Sequence, residues 1–340
     1  MQMLCPDSPE RLAEALRSAA DEGRAIRMGG NFSKDRLGGA PCPADVAVST
    51  HVMNRLLQYD PRDLTVSVQA GMAWADLERT LAGNRQMLPL DPGWVNESTV
   101  GGVVAANLSG PRRRLYGTAR DMIIGMTFVT LEGKLINSGG MVVKNVAGLD
   151  MAKLMIGSFG TLAAITVVNF KVFPIPAESR TFAMNFETAA EAFAERDRII
   201  QSPLQPAAID IINWPSGFRL LLRASGNPRV VNRYAKELPF AKEEPDSIWD
   251  QIREFTPRFL AEHPKGVVVP INCKLTEMVA IVERLNVPVI ARAGSGVIYA
   301  HYAGSAPQIE FGGDIAMMTK VKAMFDPGRL LNRGRLYGQI

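Results

Sequence analysis

Two widely separated glycine-bearing segments set the tightest limit on how this chain can fold. The first reads Arg27-Met28-Gly29-Gly30-Asn31-Phe32-Ser33-Lys34, and the second Ser98-Thr99-Val100-Gly101-Gly102-Val103-Val104-Ala105-Ala106-Asn107. The second opens a longer stretch, 98–173, that runs on through Tyr116-Gly117-Thr118-Ala119-Arg120-Asp121 and Gly157-Ser158-Phe159-Gly160-Thr161-Leu162. Small side chains and hydroxyls gather here where a core would want bulk. They let backbone approach a large flat ligand closely, with N–H groups free to hydrogen-bond it. Together the two segments point to a site for a phosphate-bearing ligand, assembled from remote parts of the chain.

Each segment also has a plainer reading. Gly29 and Gly30 follow a strand-like run, and consecutive glycines either curl into a nest of N–H donors or simply mark a surface turn. A dinucleotide fold of the Gly-x-Gly-x-x-Gly kind is disfavoured, because that spacing is absent and no clear helix follows. Ser98 or Thr99 can equally cap a close-packed helix. Arg112-Arg113-Arg114 reads first as a solvated loop, with phosphate, carboxylate or an acidic partner as the alternatives. Lys144 and Asn145 are ambiguous in the same way, and Asp91 and Glu97 are weak candidates for a base.

Composition closes off other classes. The 340 residues carry a net charge of only +4, with acidic side chains interspersed, which argues against a nucleic-acid binder. No run reaches the apolar length of a membrane span, and the start of the chain turns amphipathic at once, so a cytoplasmic protein is expected. Cys5, Cys42 and Cys273 are scattered and cannot ligate an ordinary iron–sulfur cluster. His51, His263 and His301 lie at no metal-ligand spacing, so no metal site is expected. His301 sits in a strand-like run and reads as structural. Trp214, Trp249 and the methionines read as core or interface filler.

The periodicity gives a mixed α+β order. Ser8 caps a helix that has Pro9 at its first position and ends at Gly23. Strands are predicted at 26–28, 46–48, 64–69 and 165–173, a helix at 74–81, and a hairpin over 124–137 turned at Glu132-Gly133. Pro174-Ile175-Pro176 marks a boundary. Beyond it the order strand, helix, strand, strand occurs over 182–223, with a further helix near 230–238, and recurs over 267–302. That order suggests split-βαβ units with helices on one face of an antiparallel sheet. A helix from Met317 leads into Phe325-Asp326-Pro327-Gly328-Arg329-Leu330-Leu331-Asn332.

Taken in order, Gly29-Gly30-Asn31-Phe32-Ser33, Val68-Gln69-Ala70-Gly71-Met72-Ala73-Trp74, Ser98-Thr99-Val100-Gly101-Gly102, Tyr116-Gly117, Arg120-Asp121 and Gly157-Ser158-Phe159-Gly160-Thr161-Leu162 resemble the vanillyl-alcohol-oxidase-type, or PCMH-type, FAD-binding family. The segment 325–332 is similar to that family's C-terminal return. Within the family, Gly110-Pro111-Arg112-Arg113 and 144–150 are most similar to the FAD-binding subunits of bacterial glycolate oxidases. The resemblance is dense over the first half and the tail, and rests on element order alone between them.

The resemblance implies a two-part FAD-binding domain, 1–174 with the return segment 311–340, interrupted by an inserted ferredoxin-like α+β cap, 175–310. It implies that Gly29, Gly30, Asn31, Phe32, Ser33 and Lys34 hold the FAD pyrophosphate. Ser98, Thr99, Gly101, Gly102, Asn107, Arg120 and Asp121 would line the cofactor. Gly157, Gly160 and Ile165 would flank its other side, with Asn332 joining from the return segment. Family members with covalent flavin usually carry His or Cys near the pyrophosphate loop; this loop has neither, so noncovalent FAD is expected. Phe159 stands where related 2-hydroxy-acid dehydrogenases often have Glu, the paired histidines of those enzymes are missing, and Asn332-Arg333-Gly334 replaces Asn-Pro-Gly. No catalytic residue is singled out. The implied role is the FAD subunit of a complex that oxidises a small 2-hydroxy acid, working with a catalytic FAD subunit and an iron–sulfur subunit, in the cytoplasm or held at the inner membrane by those partners. The alternatives are a self-sufficient dehydrogenase gripping substrate carboxylate with Arg292, Arg113 or Arg120, and a scaffold that has lost FAD.

Overall fold

A computed structural model describes residues 1–39, 41–142, 149–304 and 315–340, the side chain of Tyr337 apart. Lys144 and Asn145 lie outside the described residues, as does the expected boundary at 310.

The first helix, Pro9–Asp21, starts where the capping signal sits: the Ser8 hydroxyl accepts from the Arg11 N–H. Its apolar face, with Leu12, Leu16 and Ala19, packs on a three-stranded parallel sheet of Gln2–Leu4, Val46–Ser49 and Ile26–Gly29, with Val46–Ser49 in the middle. All four residues of Val46–Ser49 are buried, as a central parallel strand requires. A five-stranded antiparallel sheet follows, in the order Leu56–Asp60, Thr65–Gln69, Ala164–Lys171, Ile123–Val129, Leu135–Gly139. The last two form the expected hairpin, turned at Gly133 with φ +76°. Trp74, Leu77 and Leu81 from the helix Trp74–Ala82, and Val100, Val103 and Val104 from Val100–Ala105, bury themselves against this sheet.

The seven-stranded antiparallel sheet runs from Glu178–Phe186 to Val297–Tyr302 in sequence. Its central order, Glu178–Phe186, Phe218–Gly226, Ala208–Ile212, Val289–Arg292, Val297–Tyr302, Val267–Asn272, sets two strand–helix–strand–strand units edge to edge, the second in mirrored order. The helices Ala189–Gln201, Pro228–Glu237 and Met278–Arg284 cover one face. Two short helices that the sequence pattern did not suggest, Ile248–Arg253 and Phe255–Glu262, pack on the other through Ile248, Trp249, Ile252, Phe259 and Leu260. These two helices reach back to the first half of the chain. His301 is buried on that side, bonded to the Thr256 hydroxyl at 2.8 Å and the Pro288 carbonyl. Burial pushes its pKa down to about 4 against the pull of those carbonyl contacts, so it is a neutral core side chain.

The tail returns to the first half. From the helix Ile315–Phe325, the buried Lys322 ammonium donates to the carbonyls of Thr161 (2.7 Å) and Leu331 (2.8 Å) and to the Asp326 carboxylate. Asp326 also accepts from the N–H groups of Leu330 and Leu331. Asn332, at φ +46°, accepts from the Met28 N–H at 2.7 Å and donates to the carbonyls of Met28 (3.0 Å) and Phe159 (2.8 Å). A short polar side chain that tolerates positive φ is what such a staple needs. Asn332→Ala strands the buried Met28 N–H and strains the backbone. It should cost about 2–4 kcal/mol, read as a lowered urea midpoint, and a wild-type midpoint would refute the staple.

Candidate functional site

The strand Ile26–Gly29 delivers the first glycine segment to the edge of the parallel sheet, and the chain then turns through 30–39. The second segment meets it there. A Cβ on Gly30 would stand 2.2 Å from the Thr99 hydroxyl and 2.6 Å from its methyl, so only glycine allows the two loops this contact. Thr99 is itself fixed: it forms an isolated bridge with Ala73, and its hydroxyl caps Val100–Ala105 by accepting from the Gly102 N–H. Between the loops lies a trough open to solvent. Gly29, Gly30, Asn31, Phe32, Ser33 and Lys34 form one wall. Thr99, Gly101 and Gly102, then Ala105 and Ala106, form the facing one, and Gly160 and Ile165 line the trough as well. Thr99 thus caps a helix and also lines the trough.

The electrostatics fit an anion. Lys34 is buried, its ammonium donating to the hydroxyls of Ser33 (3.0 Å) and Ser98 (2.5 Å). Among the described residues no carboxylate lies in ion-pair contact with it. Burial pushes its pKa down to about 7 against the pull of Glu97 and Glu254. A buried cation held only by hydroxyls is costly unless a negative group joins it. A diphosphate supplies one, and the small-residue floor leaves room for flat rings. The residues present fit FAD.

Not every expected residue lines the trough. Ser98 stands behind it, fully buried, as the anchor of Lys34. Asn107 and Gly157 pack on each other beyond its end: a Cβ on Gly157 would lie 3.4 Å from that of Asn107. Asp121 is spent on a capping box with Thr118, and Arg120 points to solvent while its carbonyl accepts from Lys153. Asn332 staples the strand and the 157–160 turn from behind. Their residue types match a cofactor motif, but their hydrogen bonds are with the protein. Conversely, Asp35, Phe159 and Arg335 line the trough unforeseen. Arg335 donates to the Asp35 carboxylate (3.0 Å) and carbonyl (2.8 Å) and lies over the Phe159 ring, pinning the first loop from the far end of the chain. Phe159, the departure from Glu, is thus a wall residue. No local sequence signal marks Arg335.

The arginine run is not a solvated loop. Arg112 makes a forked ion pair with buried Asp91. Burial alone would raise the Asp91 carboxyl, but Arg112 holds it at about 2, which rules it out as a base. Arg114 passes beneath the seven-stranded sheet against Gly294 and Ile209, close enough that a Cβ on Gly294 would lie 2.3 Å from its side chain. Arg292, the candidate substrate clamp, is buried in a pair with Asp210. A second cavity opens where the two halves meet, lined by Glu78, Met87, Arg112, Tyr116, Arg223 and Arg253 among others. Its arginines have carboxylate partners as well: Asp246 at 3.3 Å from Arg223 and Asp250 at 2.8 Å from Arg253. Glu97 is exposed, its carbonyl accepting from Asn31.

Comparison with known proteins agrees with this geometry. Residues 2–139 match the family model described as FAD binding domain. Glycolate oxidase subunit GlcE of Escherichia coli is 28% identical over 98% of this chain and 99% of its own length. Glycolate oxidase subunit GlcD of Bacillus subtilis is 33% identical, over 54% of this chain but only 40% of that protein. A solved structure of alkyldihydroxyacetonephosphate synthase shares the fold, with a TM-score of 0.74 at 20% identity over 97% of this chain and 75% of its own. The match over residues 2–139 and the two-walled trough point the same way: the N-terminal part of this chain is similar to FAD binding domains.

Proposed function

We propose that this chain is the FAD-binding subunit of a glycolate oxidase-like complex that oxidises a 2-hydroxy acid to a 2-oxo acid. The observation that carries the reading is the end-to-end match with a glycolate oxidase subunit, set on a chain whose trough fits FAD. In this reading residues 1–174 and 311–340 form the FAD-binding part and 175–310 the cap. Gly29, Gly30, Ser33 and Lys34 hold the pyrophosphate from one side and Thr99, Gly101 and Gly102 from the other, with Ile165 also against the cofactor. Bound FAD supplies a two-electron acceptor for a CH–OH donor. The attachment is noncovalent.

What the chain's own residues do is bind, orient and exclude water. Lys34 provides the counter-charge, Arg335 and Asp35 set the path of the first loop, and Phe159 walls the trough. Arg292, one of the arginines that could grip a substrate carboxylate, is neutralised by Asp210, which supports a role in which another subunit grips it. The electrons would leave through an iron–sulfur partner. Among the described residues no helix is long and apolar enough to cross a membrane, so any inner-membrane association would run through partners.

Purification from the native cell tests this. The expected result is a yellow protein that releases FAD on denaturation, co-purifies with a second flavoprotein and an iron–sulfur protein, and reduces dye with glycolate only in their company. Vigorous glycolate-to-dye turnover by the isolated chain would overturn the dependence and favour a self-sufficient dehydrogenase. A colourless protein that takes up no FAD would leave only a scaffold.

A further inference from the structure

The short helix Phe255–Glu262 and its flanks touch the chain segments that lead out of the first wall and into the second, and each end is fastened by one ionic side chain. At the start, the Glu254 carboxylate accepts from the N–H groups of Trp94 (3.2 Å) and Val95 (3.1 Å). The Trp94 carbonyl in turn accepts from the N–H of Ser98, whose hydroxyl anchors Lys34. At the other end, Arg36, one residue beyond the trough-lining Asp35, donates to the carbonyls of Leu260, His263 (2.7 Å) and Gly266 (2.8 Å). Leu260 lies in the helix's last turn, where carbonyls are left open, and His263 and Gly266 follow it; one guanidinium gathers all three with both charge and geometry. Between the fastenings, Phe259 and Leu260 pack with Leu37, just past the first wall, and Trp94, just ahead of the second. Gly93 shows how close the approach is: a Cβ there would lie 2.8 Å from the Arg253 carbonyl.

We propose that 254–266 is a strap joining the two cofactor-binding loops, with Arg36 and Glu254 as its positioning residues, and that the strap governs how fast FAD leaves. The two walls come from segments of one chain that the sheet alone does not hold together at their tips. A cofactor lying between them parts them when it departs, and the strap resists that parting. It also transmits the state of the trough to the face of the seven-stranded sheet on which Phe259 and His301 pack. The proposal rests on FAD occupying the trough.

Release of FAD from the holoprotein, followed by the fluorescence of free FAD after dilution, tests it. Arg36→Met keeps the aliphatic stem and loses three charge-assisted bonds, so release should quicken about tenfold or more. Glu254→Gln keeps the shape and one acceptor, and release should quicken several-fold. Arg36→Lys, with a point charge instead of a fork, should fall between wild type and Arg36→Met. A second measurement needs no variant: in the wild-type chain, backbone amides of 255–266 should exchange hydrogen about tenfold more slowly with FAD than without it. Wild-type release rates in Glu254→Gln and in whichever Arg36 variant folds, or exchange over 255–266 that ignores FAD, would overturn the strap while leaving the trough intact. A wild-type chain that takes up no FAD would remove the strap and the trough together.

Discussion

Gly30→Ala should weaken FAD binding by about tenfold to a hundredfold while leaving the fold in place. The added methyl would meet three atoms of one side chain, the Thr99 hydroxyl at 2.2 Å, its methyl at 2.6 Å and its Cβ at 2.9 Å. Ordinary contact between such atoms is about 3.5–4.0 Å, so something must move by roughly 1 Å. Thr99 is held by the bridge to Ala73 and by its cap on Gly102, and Gly30 by its carbonyl, which accepts from the Ser49 hydroxyl at 2.6 Å. Neither yields as a flexible side-chain tip would. The walls therefore spread at the narrowest point, beside Lys34, where a pyrophosphate needs contacts from both. Gly140→Ala is the matched control, since a Cβ there meets nothing within 4 Å. Titration of apoprotein with FAD would read both. Equal affinities for Gly30→Ala, Gly140→Ala and wild type would mean that the cofactor does not lie between these loops.

That contact explains why the site was legible in the sequence at all. A loop that must touch another backbone has to spend glycine, and glycine is conspicuous where a strand ends, so Gly29 and Gly30 announced one wall and Gly101 and Gly102 the other. The helix start at Ser8, the buried run Val46–Ser49 and the hairpin over Gly133 were legible for similar local reasons of capping, an unbroken apolar run and turn chemistry. What was not legible is contact across the chain. Arg112-Arg113-Arg114 looks like a solvated run because nothing nearby in sequence shows Asp91 reaching it. Arg292 looks free until the cross-strand neighbourhood of Ala208–Ile212 and Val289–Arg292 places Asp210 beside it. Asn332 reads from the tail's resemblance as a cofactor contact, and only the folded chain shows its side chain bonded to the backbone of Met28 and Phe159. Leu56–Asp60, an exposed edge strand, lacks the alternation that would reveal it. The helices Ile248–Arg253 and Phe255–Glu262 are short and mixed in charge, with Glu254 shared between them, so the strap has no periodic signature.

Lys34→Met should separate the affinity for FAD from the stability of the empty protein, moving them in opposite directions. In the empty chain Lys34 is a buried base whose pKa has fallen from 10.5 to about 7, through burial and against the weaker pull of Glu97 and Glu254. The unfolded chain therefore binds that proton more tightly than the folded one, and the sign follows from linkage. The contribution of Lys34 to the stability of the empty protein is least favourable below pH 7 and improves as pH rises from about 7 toward 10.5. A pyrophosphate beside the ammonium favours the charged form and raises the pKa again. FAD affinity is then flat below pH 7 and weakens as pH rises above it, by up to about tenfold per pH unit until the bound-state pKa is reached. The groups that face the ammonium are the hydroxyls of Ser33 and Ser98, the Trp94 ring at 6.0 Å, and Glu97 and Glu254 at longer range. Methionine fills the same space without the charge. It should raise the melting temperature of the empty protein at pH 6.5, lower FAD affinity there by about tenfold to a hundredfold, and abolish the slope between pH 7 and 8.5. Binding curves for the two proteins at pH 6.5, 7.5 and 8.5, with melting of the FAD-free forms alongside, decide it. A slope that survives in Lys34→Met would assign the proton to another group, and unchanged affinity at pH 6.5 would remove Lys34 from the phosphate site.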